Sequence, residues 1–252
     1  MSVQKRAVNA GRGNKERTTM GSHNNTRPLS FSNAWIHSTL VESAADYGVE
    51  DAVVVNLSMT PAAYQAGSFS SAIQPFQSKL LKRCTVTSAE KIAVFEFQSS
   101  ENLGGLALAW EWFGKVYTSF NPEAPLYVSP QEDIADVQFN PSDLFQFDGA
   151  NDCVDQRFHL KVNLWYAPAQ TDCSIHCEHS FLEVHTQIFG IGRMQKFRGM
   201  NADSLFEDLI VPIGVTHEPF FQFTPESGFK YPMHRYFSDT ECVWMAIELH
   251  PY

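Results

Sequence analysis

Ile175-His-Cys-Glu-His-Ser-Phe-Leu-Glu-Val-His-Thr-Gln-Ile-Phe-Gly190 packs three histidines and two carboxylates into sixteen residues. In an extended strand alternate side chains share a face, so His176 and Glu178 point one way and Cys177 the other. After a short turn, Glu183, His185 and Gln187 again share a face. A bend between the two pieces brings His176, Glu178 and Glu183 within reach of one metal ion. Around this stretch the chain reads as β-structure. Ile92–Phe97, Leu106–Trp110, Phe158–Tyr166, Glu183–Phe189, Arg193–Phe197, Leu209–Pro212, Pro219–Phe223 and Cys242–Leu249 are short and rich in β-formers, and Gly, Pro, Asn and Asp divide them. That spacing is the pattern of an all-β sandwich or barrel. Two segments read as helical. Ile36, Leu40, Ala44 and Tyr47 fall at helical spacing before Gly48, predicting a helix over 33–47, and Thr60-Pro61 reads as the start of a helical turn.

The 252 residues are 44% hydrophobic and 18% charged, which excludes overall disorder and implies a sizeable core. The net charge of −10 is unevenly spread. Residues 1–30 carry six basic groups against Glu16 alone and read as a solvated basic tail. The remaining 222 residues carry a balance of −15. A body this acidic repels a phosphate backbone, which argues against nucleic-acid binding. No apolar run approaches the roughly 20 residues of a membrane span. With no secretory stretch at the N-terminus, the expected compartment is the cytosol. Five cysteines without paired spacing argue against a disulfide scaffold.

The opening stretch resembles the first motif of the cupin superfamily. In that motif His-x-His is followed by three or four residues, a Glu, six residues and a Gly. His176-x-Glu178, Glu183 and Gly190 keep that spacing. The second cupin motif ends in Pro-x-Gly-x-x-His, and the chain has Pro212-Ile-Gly214-Val-Thr-His217. Glu178 stands where the second histidine belongs, with His179 beside it. Phe206 and Phe221 replace a Gly and an Asn of the second motif. The resemblance implies a double-stranded β-helix, or jelly-roll, barrel over 151–252. Residues 31–150 are then a helical and β extension or a degenerate second barrel half. It offers His176, Glu178 or (through a one-residue bulge) His179, Glu183 and His217 as ligands to a divalent ion.

Such mixed nitrogen and oxygen donors suit Fe(II), which we favour, as well as Mn(II), Ni(II) or Zn(II). Glu183 and His185 are the candidate proton carriers, and Arg193, Lys196 and His234 the candidate substrate contacts. The function expected is a metal-dependent enzyme acting on a small organic molecule, first a non-haem iron dioxygenase. A metal-assisted isomerase, dehydratase or decarboxylase comes second. The alternative of another class is a non-catalytic module binding a small molecule or sugar. Exposed barrel edges favour a homodimer.

Overall fold

A computed structural model describes residues 24–98, 102–116, 123–177 and 179–252. Most of the basic tail and Glu178 therefore lie outside the described residues. The N-terminal part is built from β1 (Asn25–Pro28), β2 (Ile36–Asn56), β3 (Ala62–Ala66), β4 (Phe69–Ile73) and β5 (Ser78–Phe97), in the sheet order β1-β2-β5-β3-β4. β2 and β5 form a long antiparallel ribbon, from Ile36 opposite Phe97 to Val55 opposite Ser78. Val53–Asn56 pair in addition with Phe95–Ile92, so the ribbon winds back and the end of β2 runs along the second edge of β5.

The helix expected over 33–47 is thus a strand. Ile36, Ser38 and Leu40 are buried and His37 is exposed, which is a two-residue period. Ser43 and Asp46 then take positive φ (both 54°) and each bend shifts the phase. A two-residue period broken by bends imitates a helical one over so short a window. The turn expected at Thr60-Pro61 is also absent, because Pro61 leads directly into β3. Residues 25–29 of the expected tail belong to the fold instead. Leu29 is buried, and β1 pairs with β2 through Arg27 opposite Leu40.

The chain continues through a short helix α1 (Leu106–Ala109), where the sequence suggested a strand. Its Leu106 side chain and those of Leu103 and Trp110 are buried on one side. Then come β6 (Glu111–Trp112), β7 (Tyr127–Val128), β8 (Glu132–Phe139), β9 (Gln156–Ala167), β10 (Thr171–Asp172), β11 (Leu182–Phe189), β12 (Gly192–Phe197) and β13 (Leu205–Val211). The last strands are β14 (Gln222–Thr224), β15 (Gly228–Lys230), β16 (Met233–Ser238) and β17 (Cys242–Pro251). One sheet runs β11-β17-β9-β7-β6 with β8 also on β9, and a second runs β10-β16-β12-β13; all pairings are antiparallel. The all-β expectation holds. β6, β7 and β8 precede residue 150 yet pair into the β9 sheet, so that sheet crosses the boundary expected at 150/151.

Alternation along β9, β11 and β17 gives the larger sheet two different faces. One carries Phe158, Leu160, Leu182, Val184, Ile247 and Leu249, which join Ile36, Leu40, Val53 and Phe95 in a core shared with the N-terminal part. Each such side chain contributes about 1.5–3 kcal/mol when fully buried. The other face meets the β10-β16-β12-β13 sheet, where Trp244 and Cys242 pack on Met194, Val211 and Tyr236. Two motif glycines are demanded by geometry. Gly190 has φ +76°, and a Cβ there would sit 2.0 Å from the carbonyl oxygen of Glu241. Gly214 has φ +78°, and a Cβ would lie 2.6 Å from the amide nitrogen of Leu80. Among the described residues no helix is long and apolar enough to cross a membrane.

Candidate metal centre

The chain reaches the space between the sheets through an irregular segment after β10. Ser174 takes φ 67°, and its amide donates to Asp172 Oδ1 at 2.9 Å, which turns the backbone inward. His176 and His234 then exchange both backbone hydrogen bonds, at 2.9 and 2.8 Å, in a single antiparallel bridge. Residues paired this way present side chains on the same side, and the two imidazole rings lie 4.3 Å apart. His179 follows in the loop before β11, its ring 4.9 Å from that of His234 and its Nε2 3.0 Å from His234 Nε2. One ring nitrogen from each of the three histidines falls within 4.8 Å of the others.

Backbone carbonyls orient two of these rings. His176 Nδ1 donates to Ser174 O at 3.1 Å, and His234 Nδ1 to Pro232 O at 2.8 Å. A carbonyl only accepts, so each Nδ1 holds the proton and each Nε2 the lone pair. Carbonyl-anchored imidazoles are the usual arrangement of histidine ligands. Burial, with the charge of His179, pushes His176 down to about 4. Burial, with the charge of His176, pushes His234 down to about 2. Burial also lowers His179. All three are therefore neutral near pH 7, the state a metal requires. Nitrogens bonded to one ion at about 2.0–2.1 Å lie at most about 4 Å apart. The 3.0 Å separation of the His179 and His234 nitrogens meets that limit, and the His176 nitrogen, within 4.8 Å of both, reaches it with a shift of under about 1 Å. The residues present fit a divalent cation.

Glu183 stands at the edge of the triad. Its Oε2 is 3.7 Å from His179 Nδ1 and its Oε1 3.1 Å from His185 Nε2. Burial pushes this carboxyl up. The charge and hydrogen bond of His185, with the charges that His179 and His234 take on when protonated in acid, outweigh burial and hold it well below the ordinary carboxylate range. The ionised carboxylate accepts from His185 Nε2, and among the described residues His185 Nδ1 is buried with no hydrogen-bond partner. The shared face expected for Glu183 and His185 is what the structure shows.

His217 is placed otherwise than the motif implied. Its Nε2 accepts the backbone N–H of His185 at 3.0 Å, and its Nδ1 donates to Glu218 O at 2.8 Å. Both nitrogens are spent on backbone, so the ring carries no lone pair toward the triad. Burial, with the charge of His185, lowers it to about 3. The Pro212–His217 segment works as a strap on β11: Gly214 donates to Gln187 O at 2.8 Å, Gln187 to Val215 O at 2.9 Å, and Thr186 Oγ1 meets Thr216 Oγ1 at 2.6 Å. Arg193 and Lys196, expected as substrate contacts, are both held by acidic neighbours. Arg193 Nε lies 2.8 Å from both oxygens of Asp239, and its Nη1 2.8 Å from Asp208. Lys196 binds Glu207 at 2.6 Å and lies over the Phe220 ring. His234, expected as a substrate contact, is instead the third member of the triad, a role its sequence neighbourhood of Tyr231-Pro-Met-His234 does not signal. Glu178 lies outside the described residues.

No protein-family model matches the chain, and no curated protein matches it. Solved structures with some likeness include oxalate decarboxylase of Bacillus subtilis, described with Mn(II) centers, at 11% identity and TM-score 0.29, covering 87% of this chain and 70% of that one. A second structure, on substrate binding in oxalate decarboxylase, has 11% identity and TM-score 0.28 over 91% of this chain and 73% of that one. A recombinant oxalate oxidase in complex with glycolate has 11% identity and TM-score 0.27, over 46% of this chain and 50% of that one. Scores this low do not amount to a common fold.

Proposed function

We propose that this chain is a metal-dependent enzyme of the cupin type acting on a small organic molecule, with His176, His179 and His234 holding one divalent ion. The observation that carries this reading is the convergence of three buried or half-buried imidazoles on one point, two of them oriented by backbone carbonyls. Three histidines beside a carboxylate suit Fe(II), Mn(II), Ni(II) or Zn(II). We favour iron and an oxygenase.

A bound ion would supply Lewis acidity toward a substrate oxygen and, if iron, redox capacity. The chain's own groups supply proton handling. Glu183 stays ionised and keeps the proton of His185 on Nε2. His185 Nδ1, buried between the sheets and without a partner among the described residues, is the atom that would take a proton from a substrate carbon or hydroxyl. That pair favours a second reading, a metal-assisted isomerase, dehydratase or decarboxylase, in which proton transfer is the whole task.

Elemental analysis of anaerobically purified protein tests the first step. About one equivalent of divalent metal is expected, lost in His176→Ala/His234→Ala and kept in His217→Ala. Metal retained by the double variant would sink the site. Oxygen uptake with a substrate panel then separates the two chemistries.

A further inference from the structure

Beside the ion site lies a cleft of about 260 Å³ that the chemistry above does not use. Phe181, Leu182, Phe223, Phe229 and Pro251 form its apolar wall, and His179 borders it. The same imidazole has its Nε2 3.0 Å from His234, so cleft and triad share a side chain. Gln156 and Ser180 are the other polar side chains of the wall, and among the described residues no Asp, Glu, Lys or Arg lines it. The volume equals roughly nine waters at about 30 Å³ each, the size of a ring system rather than of a two-carbon acid.

The roof is unusual. Among the described residues β14 and β15 pair only with each other. Strands of three residues make a hairpin that is marginal alone. It is fixed at its base by buried Phe221 and Tyr231, and by the Phe223 amide donating to Asp148 O at 2.9 Å. Gln222, Thr224 and Lys230 point to solvent, whereas Phe223 and Phe229, opposite each other with ring centroids 5.0 Å apart, are half-buried over the cleft. Phe181, its ring centroid 5.5 Å from that of His179, lines the same space.

We propose that this cleft binds an uncharged, flat, ring-containing small molecule and presents it at His179. Its role as the substrate site rests on the functional reading above. Aromatic walls offer stacking and apolar contact, and Gln156 with Ser180 can bond one or two neutral polar substituents. A charged group entering here would lose its hydration with no partner. Arg193 and Lys196 are already bound to Asp239, Asp208 and Glu207.

The test is calorimetric titration of the purified protein with 2-naphthol and, separately, 2-naphthoate. 2-Naphthol is expected to bind about tenfold or more tightly than the carboxylate. Phe223→Ala, which removes a wall, and Gln156→Trp, which fills the space, should each weaken 2-naphthol about tenfold while leaving metal content unchanged. Equal or tighter binding of 2-naphthoate, or wild-type affinity for 2-naphthol in both variants, overturns the proposal. His176→Ala/His234→Ala keeps the two readings apart. Lost metal with retained 2-naphthol binding supports the cleft, and protein that never held metal yet binds 2-naphthol retains the cleft while refuting the ion site.

Discussion

The two β-built parts of the molecule enclose opposite contents. The apolar cluster of the wound β2–β5 ribbon is Val41, Ala44, Val49, Ala52, Val54, Ala62, Ile73, Leu81, Val86, Ala89, Ile92 and Val94, every one aliphatic. The only buried polar side chains described on β2 and β5 are the small Ser38, Asn56 and Ser78. Between the two C-terminal sheets the buried set includes Glu183, Gln187, His217, His234, Tyr236 and Glu248. Buried polar groups are costly unless bonded, and nearly all of these are. Tyr236 donates to Gln187, Glu248 accepts from Asn163 and Gln131, and Glu183 holds His185. Among the described residues two buried polar side-chain atoms lack a partner, His185 Nδ1 here and Ser38 Oγ on β2. One interior is an apolar core and the other carries the proposed site. The site is affordable because the opposite face of its larger sheet lies in the apolar layer shared with the N-terminal part.

A polar group forced into the first interior should break this contrast most violently. Ile92 is fully buried in the aliphatic cluster, and Asn56 opposite it already spends its amide on Thr60 O, Ile73 O and the Ser58 N–H. Ile92→Asp is expected to cost about 4 kcal/mol or more, unfolding the chain or moving its urea midpoint far down. A loss under about 1 kcal/mol would mean that the ribbon tolerates polarity and that the contrast is accidental.

Within the second interior, His217 and His234 sharpen the comparison. His217→Ala strands the His185 amide and the Glu218 carbonyl, a loss of about 1–3 kcal/mol, with metal content unchanged. Gln in its place can accept and donate in turn and should restore part of the stability. His234→Ala is expected to do the reverse, removing metal because its Nε2 belongs to the triad. Metal lost from His217→Ala while the protein stays folded would return His217 to the ligand set.

That pair also shows what the sequence could and could not reveal. Alternation and turn residues exposed the strands from Phe158 to Leu249, since the two-residue period is local. The same logic failed at residues 36–47, where positive φ at Ser43 and Asp46 breaks the period. The motif spacing found His176, Glu183 and the glycines, because Gly190 and Gly214 are required by backbone contacts. It could not separate His217 from His234. Which imidazole keeps a lone pair depends on the carbonyl and amide beside it, here Pro232 O for one and the His185 N–H for the other. Those neighbours come from chain segments distant in sequence.

Acid should act on the second interior alone. In metal-free protein His176, His217 and His234 sit at about 4, 3 and 2, against about 6.5 unfolded. As pH falls below that value the unfolded chain takes protons the native state refuses, so stability falls, by about 1.4 kcal/mol per pH unit for each such group. His159 works in the opposite sense. Its hydrogen bond to Asp136 raises its pKa, so its contribution is present in acid and lost as pH rises. The lowered carboxyl of Glu183 adds stability above the unfolded carboxylate range and loses it only in stronger acid. The melting temperature of EDTA-treated protein is expected to drop between pH 7 and pH 5 and to drop less in His217→Gln. A flat profile would show that these rings are not held neutral.

The smallest effect is expected at Arg193, on the outer face of β12, where basic charge suggested a substrate contact. Its guanidinium is fully engaged by Asp239 and Asp208, all three at the solvent boundary, where an ion pair is screened and worth little. Arg193→Gln should leave metal content and 2-naphthol affinity as they were and shift the melting temperature only slightly, with the shift shrinking further in high salt. If that substitution instead weakened small-molecule binding while His179→Ala did not, the ligand would have to enter from the outer face of the sheet. The polar interior would then be a buried network rather than a site, and the difference between the two halves would be one of packing alone.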